Sequence, residues 1–206
     1  MISTRELIQF EQEVAEHFNA GRIRAPVHLD GGSELELHEV FSAAIKPDDW
    51  KFVTWRSHYI CLLAGVPREQ LMADILAGKS ITLNYPSHKI VSSAIVGGII
   101  PIALGVALAI KRRGGTERVW CFLGDMAART GAKWEAANYA MNWDLPLSFV
   151  CLDNNKSVCT DTRAVWGEDE RVKDAKMSVM PQNGQTLMYR YALPWPHAGA
   201  GKRIQF

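Results

Sequence analysis

Two dipeptides in this chain set an acid or an amide just beyond an apolar run: Gly124-Asp125 after residues 118–123, and Asn154-Asn155 after residues 147–152. Between them Trp134, Ala137 and Met141 recur at helical spacing, and Pro146 closes that helix before the second run. Strand, helix and strand in this order make a right-handed crossover between parallel strands, so both strands end at one edge of a sheet. Asp125 and Asn154 are therefore expected side by side at a carboxyl edge, where open parallel sheets bind ligands. The helix opening near Thr130 aims its free N–H groups at the same place. A carboxylate, a carboxamide oxygen and free amides suit Mg²⁺ bridged to phosphate, because Mg²⁺ takes oxygen ligands and keeps positions for phosphate and water. The same four residues are also ordinary turn formers at strand ends. A dinucleotide or Walker-type site fits poorly, since the chain has neither GxGxxG nor a Walker lysine motif.

The elements that must hold these residues follow from the rest of the pattern. Leu7, Phe10, Val14 and Phe18 predict an opening amphipathic helix. Ser33 with Glu36 predicts a capping box before a second helix carrying Leu37, Val40, Phe41 and Ala44. Residues 51–55 read as a short strand. Pro67, then Leu71, Met72, Ile75 and Leu76, then Gly78 predict a helix with a proline start and a glycine stop. Residues 90–110 carry no charge, are flanked by Lys89 and by Lys111, Arg112 and Arg113, and are long enough to span a bilayer. Ser92-Ser93, Gly97-Gly98 and Pro101 favour instead a loop to about Ser93, a buried turn and a core helix from about Pro101. No repeat or interdomain linker interrupts the chain, so residues 1–206 read as one domain.

Composition narrows the function. Hydrophobic residues at 48% and charged residues at 22% suit a folded globular domain. A balance of 23 basic to 22 acidic side chains gives +1, which provides no field for a nucleic acid or an anionic membrane. Neither is expected as a partner. Cys61, Cys121, Cys151 and Cys159 form no CxxC pair, and the opening "MISTRELIQFEQEV" lacks a secretory apolar stretch. A reducing, cytoplasmic setting is the expectation.

"GDM" followed by "NN" resembles the thiamine-diphosphate motif, which ordinarily reads GDG and closes on NN. Two further segments agree in order. "WRSHYICLLAGVPREQLMADILAGK" resembles the Arg-x-His-Gly segment in alpha subunits of 2-oxo-acid dehydrogenases, and "AIVGGIIPIALGVALAIK" is similar to their Gly-Ile-Val-Gly segment and buried helix. The similarity runs from about residue 5 to 165. It implies an α/β fold, the diphosphate-binding domain: an open, mainly parallel sheet with helices on both faces. It also implies thiamine diphosphate bound through Mg²⁺, with Asp125, Asn154 and the Lys156 carbonyl as metal ligands. Gly124 and the amides of Met126 and Ala127 would face the diphosphate, Arg56 would grip it, and Trp55 stands where the family commonly has tyrosine. Ala94 and Val96 match backbone positions beside the aminopyrimidine. His58 matches an active-site histidine, although a lone histidine beside apolar sequence is commonly a hydrogen-bonded core residue. His88, in "YPSHK", stands near the family's Ser-x-His stretch, with a shorter intervening segment here.

Two departures from the family pattern carry information. Met126 replaces a glycine whose missing side chain lets backbone approach a phosphate, so a weaker grip is expected. After Asn155 the charged bridge "GEDERVKDAKMSVMPQNGQ" leads to residues 186–191, which resemble the family's final strand, so the segment from about 167 to 206 is shortened. His197 then falls where the family has a loop histidine beside the substrate, and "HAGAGK" reads either as a lid or as a loose tail. The resemblance further implies a 2-oxo acid or ketose substrate, with a carbon–carbon bond cleaved or formed beside its carbonyl. It implies a separate beta-like, pyrimidine-binding subunit whose glutamate activates the cofactor, in a hetero-oligomer with two copies of each chain. Half of a split transketolase and a cofactor-free scaffold subunit are the alternatives.

Overall fold

The computed structural model describes residues 1–167 and 181–201. Its main sheet contains Trp50–Val53 (β1), Asn84–Tyr85 (β2), Ile90–Ser92 (β3), Val119–Gly124 (β4) and Leu147–Asp153 (β5). A small hairpin follows, Lys156–Ser157 (β6) with Thr160–Asp161 (β7), and Thr186–Arg190 (β8) returns to the main sheet. The order is β2-β3-β1-β4-β5-β8, parallel at every pairing except β2 with β3. This is the predicted open, mainly parallel α/β sheet.

Alternation along β4 and β5 shows why both faces are covered. Trp120, Phe122, Val150 and Leu152 enter one core, whereas Val119, Cys121, Leu123, Phe149 and Cys151 enter the other. Period-two side chains that are apolar on both sides need a layer on each. Thr4–Asn19 (α1), Glu34–Ala43 (α2), His58–Leu63 (α3) and Arg68–Leu76 (α4) supply the first layer. Ile99–Arg112 (α5) and Gly131–Asn142 (α6) supply the second. A one-turn helix, Thr162–Trp166 (α7), follows the hairpin.

Three local expectations are corrected. The capping box lies at Ser3 and Glu6 on α1, while Ser33 precedes α2 without a side-chain cap; Glu34 instead accepts the Gly32 N–H at 3.0 Å. The buried face of α6 is Lys133, Ala136, Ala137 and Ala140, with Trp134 and Met141 about half exposed. Small side chains let α5 and α6 lie close over the sheet, as Ala103 and Ala107 do on α5. The uncharged stretch splits into β3, a turn at Gly97 (φ +73) and α5, which begins at Ile99; Ile102 and Ala109 are exposed. Among the described residues no helix is long and apolar enough to cross a membrane. Much of the charged bridge, residues 168–180, lies outside the described residues.

The segment after β8 closes back on the loop before α2. Gly199 N–H donates to Val27 O at 2.9 Å, and Asn19 donates to Ala200 O at 3.3 Å. Gly32 adopts φ +78 there, and a Cβ on it would stand 2.1 Å from Ala192 O. Gly32→Ala is therefore expected to cost about 1–3 kcal/mol from the strained backbone alone, read as a lower midpoint in urea unfolding of the full chain.

Candidate functional site

Because β1, β4, β5 and β8 are parallel, their carboxyl ends meet at one edge. The chain leaves β1 for β3, returns past β1 to β4, and then continues outward to β5 and β8. The crevice between β1 and β4 is thus a topological switch point, the usual ligand position in such sheets. A cleft with about 590 Å³ of empty space, continuous with solvent, opens there. Thr54, Trp55 and Arg56 reach it from β1, and Gly124, Asp125, Met126 and Ala127 from β4. Asn154 and Lys156 reach it from the end of β5, Tyr191 and His197 from beyond β8, and Val96 from the turn before α5.

Asp125 is 5% exposed, and its Oδ2 is buried without a hydrogen-bond partner. Burial pushes its carboxyl up to about 6; the adjacent Thr162 side chain opposes the shift and the Asp153 charge adds to it. Asp153 itself is ion-paired with Arg163 at 3.1 Å and Arg190 at 3.4 Å. Asn154 Oδ1 accepts the Lys156 N–H at 3.0 Å and keeps a second lone pair. Its Nδ2 donates to the Tyr191 hydroxyl at 3.3 Å. A buried, unpartnered carboxylate oxygen in a cleft that an amide oxygen also lines is a donor set of the kind a hard divalent cation takes.

The second asparagine has a different task. Asn155 adopts φ +58, a conformation asparagine tolerates, and its side chain accepts from Arg163 N–H and donates to Asp161. It shapes the hairpin that follows the cleft. Met126, which stands in place of glycine, has a right-handed helical backbone (φ −69), and its sulfur accepts from Trp166 Nε1 at 3.0 Å. The side chain is held toward α7.

At the other side of the cleft, Arg56 is 8% exposed and donates to the carbonyls of Leu29 and His197, the latter at 3.3 Å. The same His197 carbonyl accepts from His28 Nδ1 at 2.7 Å. The His28 ring packs 4.7 Å from His197 and 5.7 Å from Trp55. Burial lowers His28 to about 4, and burial followed by the Arg56 charge lowers His197.

The cleft thus gathers Trp55, Arg56, Val96, Gly124, Asp125, Met126, Ala127, Asn154, Lys156 and His197. Three predicted residues lie elsewhere. Ala94 is exposed outside the cleft lining. His58 is fully buried, with Nδ1 on Glu11 at 2.8 Å and Nε2 on the Ser80 hydroxyl at 2.9 Å, because α3 turns its first residue into the α1 layer. His88 ends the turn Pro86–His88 just before β3, which places it at the amino edge, opposite the cleft. His28 and Tyr191 were not anticipated. The signal for His28 was present in "VHLDGGSE", a histidine just ahead of an Asp-Gly-Gly turn.

Fold and cleft define an open α/β domain with a buried acid at the switch point of its sheet. Residues 3–182 match the family described as the dehydrogenase E1 component, and the chain belongs to that family. It is 28% identical over 164 residues to the pyruvate dehydrogenase E1 component subunit alpha of Rickettsia prowazekii (strain Madrid E), covering 75% of this chain and 50% of that protein. It is 31% identical over 148 residues to the testis-specific mitochondrial form of that subunit from Homo sapiens, covering 68% and 38%. The corresponding mitochondrial subunit of Dictyostelium discoideum is 28% identical over 196 residues, covering 88% and 52%. The chain spans about half the length of the curated relatives it matches.

The environment of His28 makes a pH statement. Its folded value lies below its ordinary one, so the stability it contributes is present above 6.5 and is lost as pH falls through about 4. An NMR titration is expected to show the His28 ring unchanged across neutral pH with a midpoint near 4. A midpoint near 6.5 would mean the ring is solvated and does not hold the His197 carbonyl.

Proposed function

We propose that this chain is the diphosphate-binding subunit of a two-subunit, thiamine-diphosphate-dependent 2-oxo-acid dehydrogenase. The observation that carries the reading is Asp125, a buried carboxylate with an unpartnered oxygen at the switch point, next to Asn154. Asp125, Asn154 and the carbonyl of Lys156 would hold Mg²⁺. A cation there relieves the burial that raises Asp125 and supplies the partner Oδ2 lacks. Arg56 and the amides of Met126 and Ala127 would take the diphosphate, and Trp55 and Val96 would wall the cofactor. Bound thiamine diphosphate supplies a thiazolium carbon able to attack the carbonyl of a 2-oxo acid.

The chain's own residues bind, orient and exclude water. His197 lines the cleft and is held below its ordinary value, so as a neutral imidazole it could meet a substrate oxygen without a charge of its own, while His28 packs behind it with Nδ1 given to the His197 carbonyl. We assign His58 a supporting role, since it reaches Glu11 and Ser80 rather than the cleft. The glutamate that activates the cofactor would come from a beta-like subunit. Ile95, Val96 and Ile102, exposed beside the cleft and on α5, form the apolar contact we assign to it. Buried Cys61, Cys121 and Cys151 are free thiols, in keeping with a reducing cytoplasm. A cofactor-free scaffold, suggested by Met126, is the competing reading, and a cofactor-binding measurement separates the two.

Calorimetry on the assembled protein tests the metal assignment. Asp125→Ala is expected to abolish Mg²⁺-dependent binding of thiamine diphosphate, whereas Asn154→Ala weakens it by less, because a carboxylate brings the formal charge and an amide does not. Parent-like binding by both variants would sink the assignment. A second test concerns the partner: the chain alone, with cofactor and Mg²⁺, is expected to show no turnover, and activity on 2-oxo acids should appear on adding a beta-like subunit. Turnover by the monodisperse chain would overturn the two-subunit reading.

A further inference from the structure

The short helix α7 lies against the strand ends that form the cleft, and three of its five residues reach back to them. Arg163 pairs with Asp153 at 3.1 Å, and Trp166 Nε1 donates to the Met126 sulfur at 3.0 Å. Gly124 is in register with Leu152, so Asp125 and Asp153 are neighbours across the sheet, and Met126 follows Asp125 in the chain. A helix tied to both Asp153 and Met126 is thereby seated at Asp125. Its first residue, Thr162, stands beside that carboxyl.

The backbone of Thr162 is fixed without help from its side chain. Its N–H donates to Asn155 O at 3.3 Å, and Asp161 caps the helix by accepting from Arg163 and Ala164 N–H at 3.0 and 3.2 Å. The hydroxyl is therefore not needed for the turn. Yet Thr162 is 4% exposed, and its Oγ1 is buried with no hydrogen-bond partner. Asp125 Oδ2 is in the same condition. Orphaned buried polar atoms are uncommon and costly, so two of them on neighbouring side chains call for one explanation. A hydroxyl brings a donor hydrogen, and a carboxylate has lone pairs on both oxygens. A cation on Oδ2 and the hydroxyl hydrogen on the other oxygen would satisfy both orphans together.

We propose that Thr162 is a positioning residue for the cation site, whose hydroxyl donates to one oxygen of Asp125 while the other is turned to Mg²⁺. The inference rests on the diphosphate reading above and deepens it. Carboxylates that ligate a metal are themselves hydrogen-bonded, and that bond fixes which way the remaining oxygen points. Thr162 does not line the cleft, as suits a group that acts from behind the acid. Met126 gains a task on this reading: its sulfur seats Trp166 and, through α7, keeps Thr162 at Asp125.

The test compares the parent, Thr162→Val and Thr162→Ser as full chains in the assembled protein. Valine keeps the shape of threonine and removes the hydroxyl, whereas serine keeps the hydroxyl. Mg²⁺ affinity is measured by calorimetry with thiamine diphosphate in excess, and Tm is measured without cation or cofactor. Groups that orient a metal ligand typically carry about 10- to 100-fold in affinity, so Thr162→Val is expected to weaken Mg²⁺ binding about tenfold or more, and Thr162→Ser to restore most of it. Without cation or cofactor, Thr162→Val is expected to melt no lower than the parent, since the hydroxyl it removes has no partner there. A hydroxyl that served only the fold would give the reverse pattern. Unchanged Mg²⁺ affinity in Thr162→Val, or a lower Tm of that variant without cation and cofactor, overturns the inference alone. Equal loss of affinity in the valine and serine variants overturns it too, because the hydroxyl would then not be the group that matters. Absence of Mg²⁺-dependent cofactor binding by the parent takes down the cofactor reading, and this inference with it.

Discussion

Parallel pairing is the constraint on which the rest depends. Gly124 lies in register with Leu152, and Leu152 with Tyr189, so the three strands end together. Asp125, Asp153 and Arg190 are thereby brought to one line. Like charges at such a spacing need cations, and Asp153 finds two in Arg163 and Arg190. Asp125 is left with an unpartnered oxygen and a raised carboxyl. A division of labour results: the acid within the strand neutralises the protein's own arginines, and the acid just beyond a strand is the one the proposed function gives to a ligand. A single-residue slip in the β4–β5 register would exchange which side chains face which core and dismantle both arrangements.

Much of this could be read from residue order because the governing forces are local or periodic. The strand–helix–strand unit fixed the shared edge of Asp125 and Asn154 through the handedness of crossovers, a rule that does not depend on packing detail. The second asparagine was also legible as a turn former, although its bonds to Asp161 and Arg163 depend on a hairpin that periodicity does not reveal. Met126 was legible as a departure from the motif, but where its side chain goes was not. Its sulfur is held by Trp166, a partner on a helix forty residues further along the chain.

What sequence could not show is long-range. Apolar pattern on α6 selected Trp134, Ala137 and Met141 as the inward face, but of these only Ala137 is buried, together with Ala136 and Ala140. The displaced aromatics then stand on the surface, Trp134 half exposed and Trp143 beyond the helix end still more so. His58 and His88 were both singled out by their places near motifs. One is swallowed by contact with Glu11 from a helix far away in sequence, and the other is sent to the opposite edge by the direction of β3. Neither fact has a local signature.

Arg56 shows how the site can be both built and available. Its guanidinium donates to two neutral carbonyls, Leu29 and His197, in a nearly buried position. Those bonds avoid the cost of an unpaired buried cation, yet a phosphate oxygen is the better acceptor, since ionic hydrogen bonds are roughly twice as strong as those to neutral groups. On the diphosphate reading proposed above, an arriving anion would take a guanidinium N–H from His197 without leaving that carbonyl orphaned, because His28 Nδ1 donates to it at 2.7 Å. The segment beyond β8 also stays docked through Gly199 on Val27 and Ala200 on Asn19. Exchange of one bond, rather than opening of the whole segment, is then the smallest rearrangement that would admit a diphosphate. His28 is what makes that exchange inexpensive in free energy.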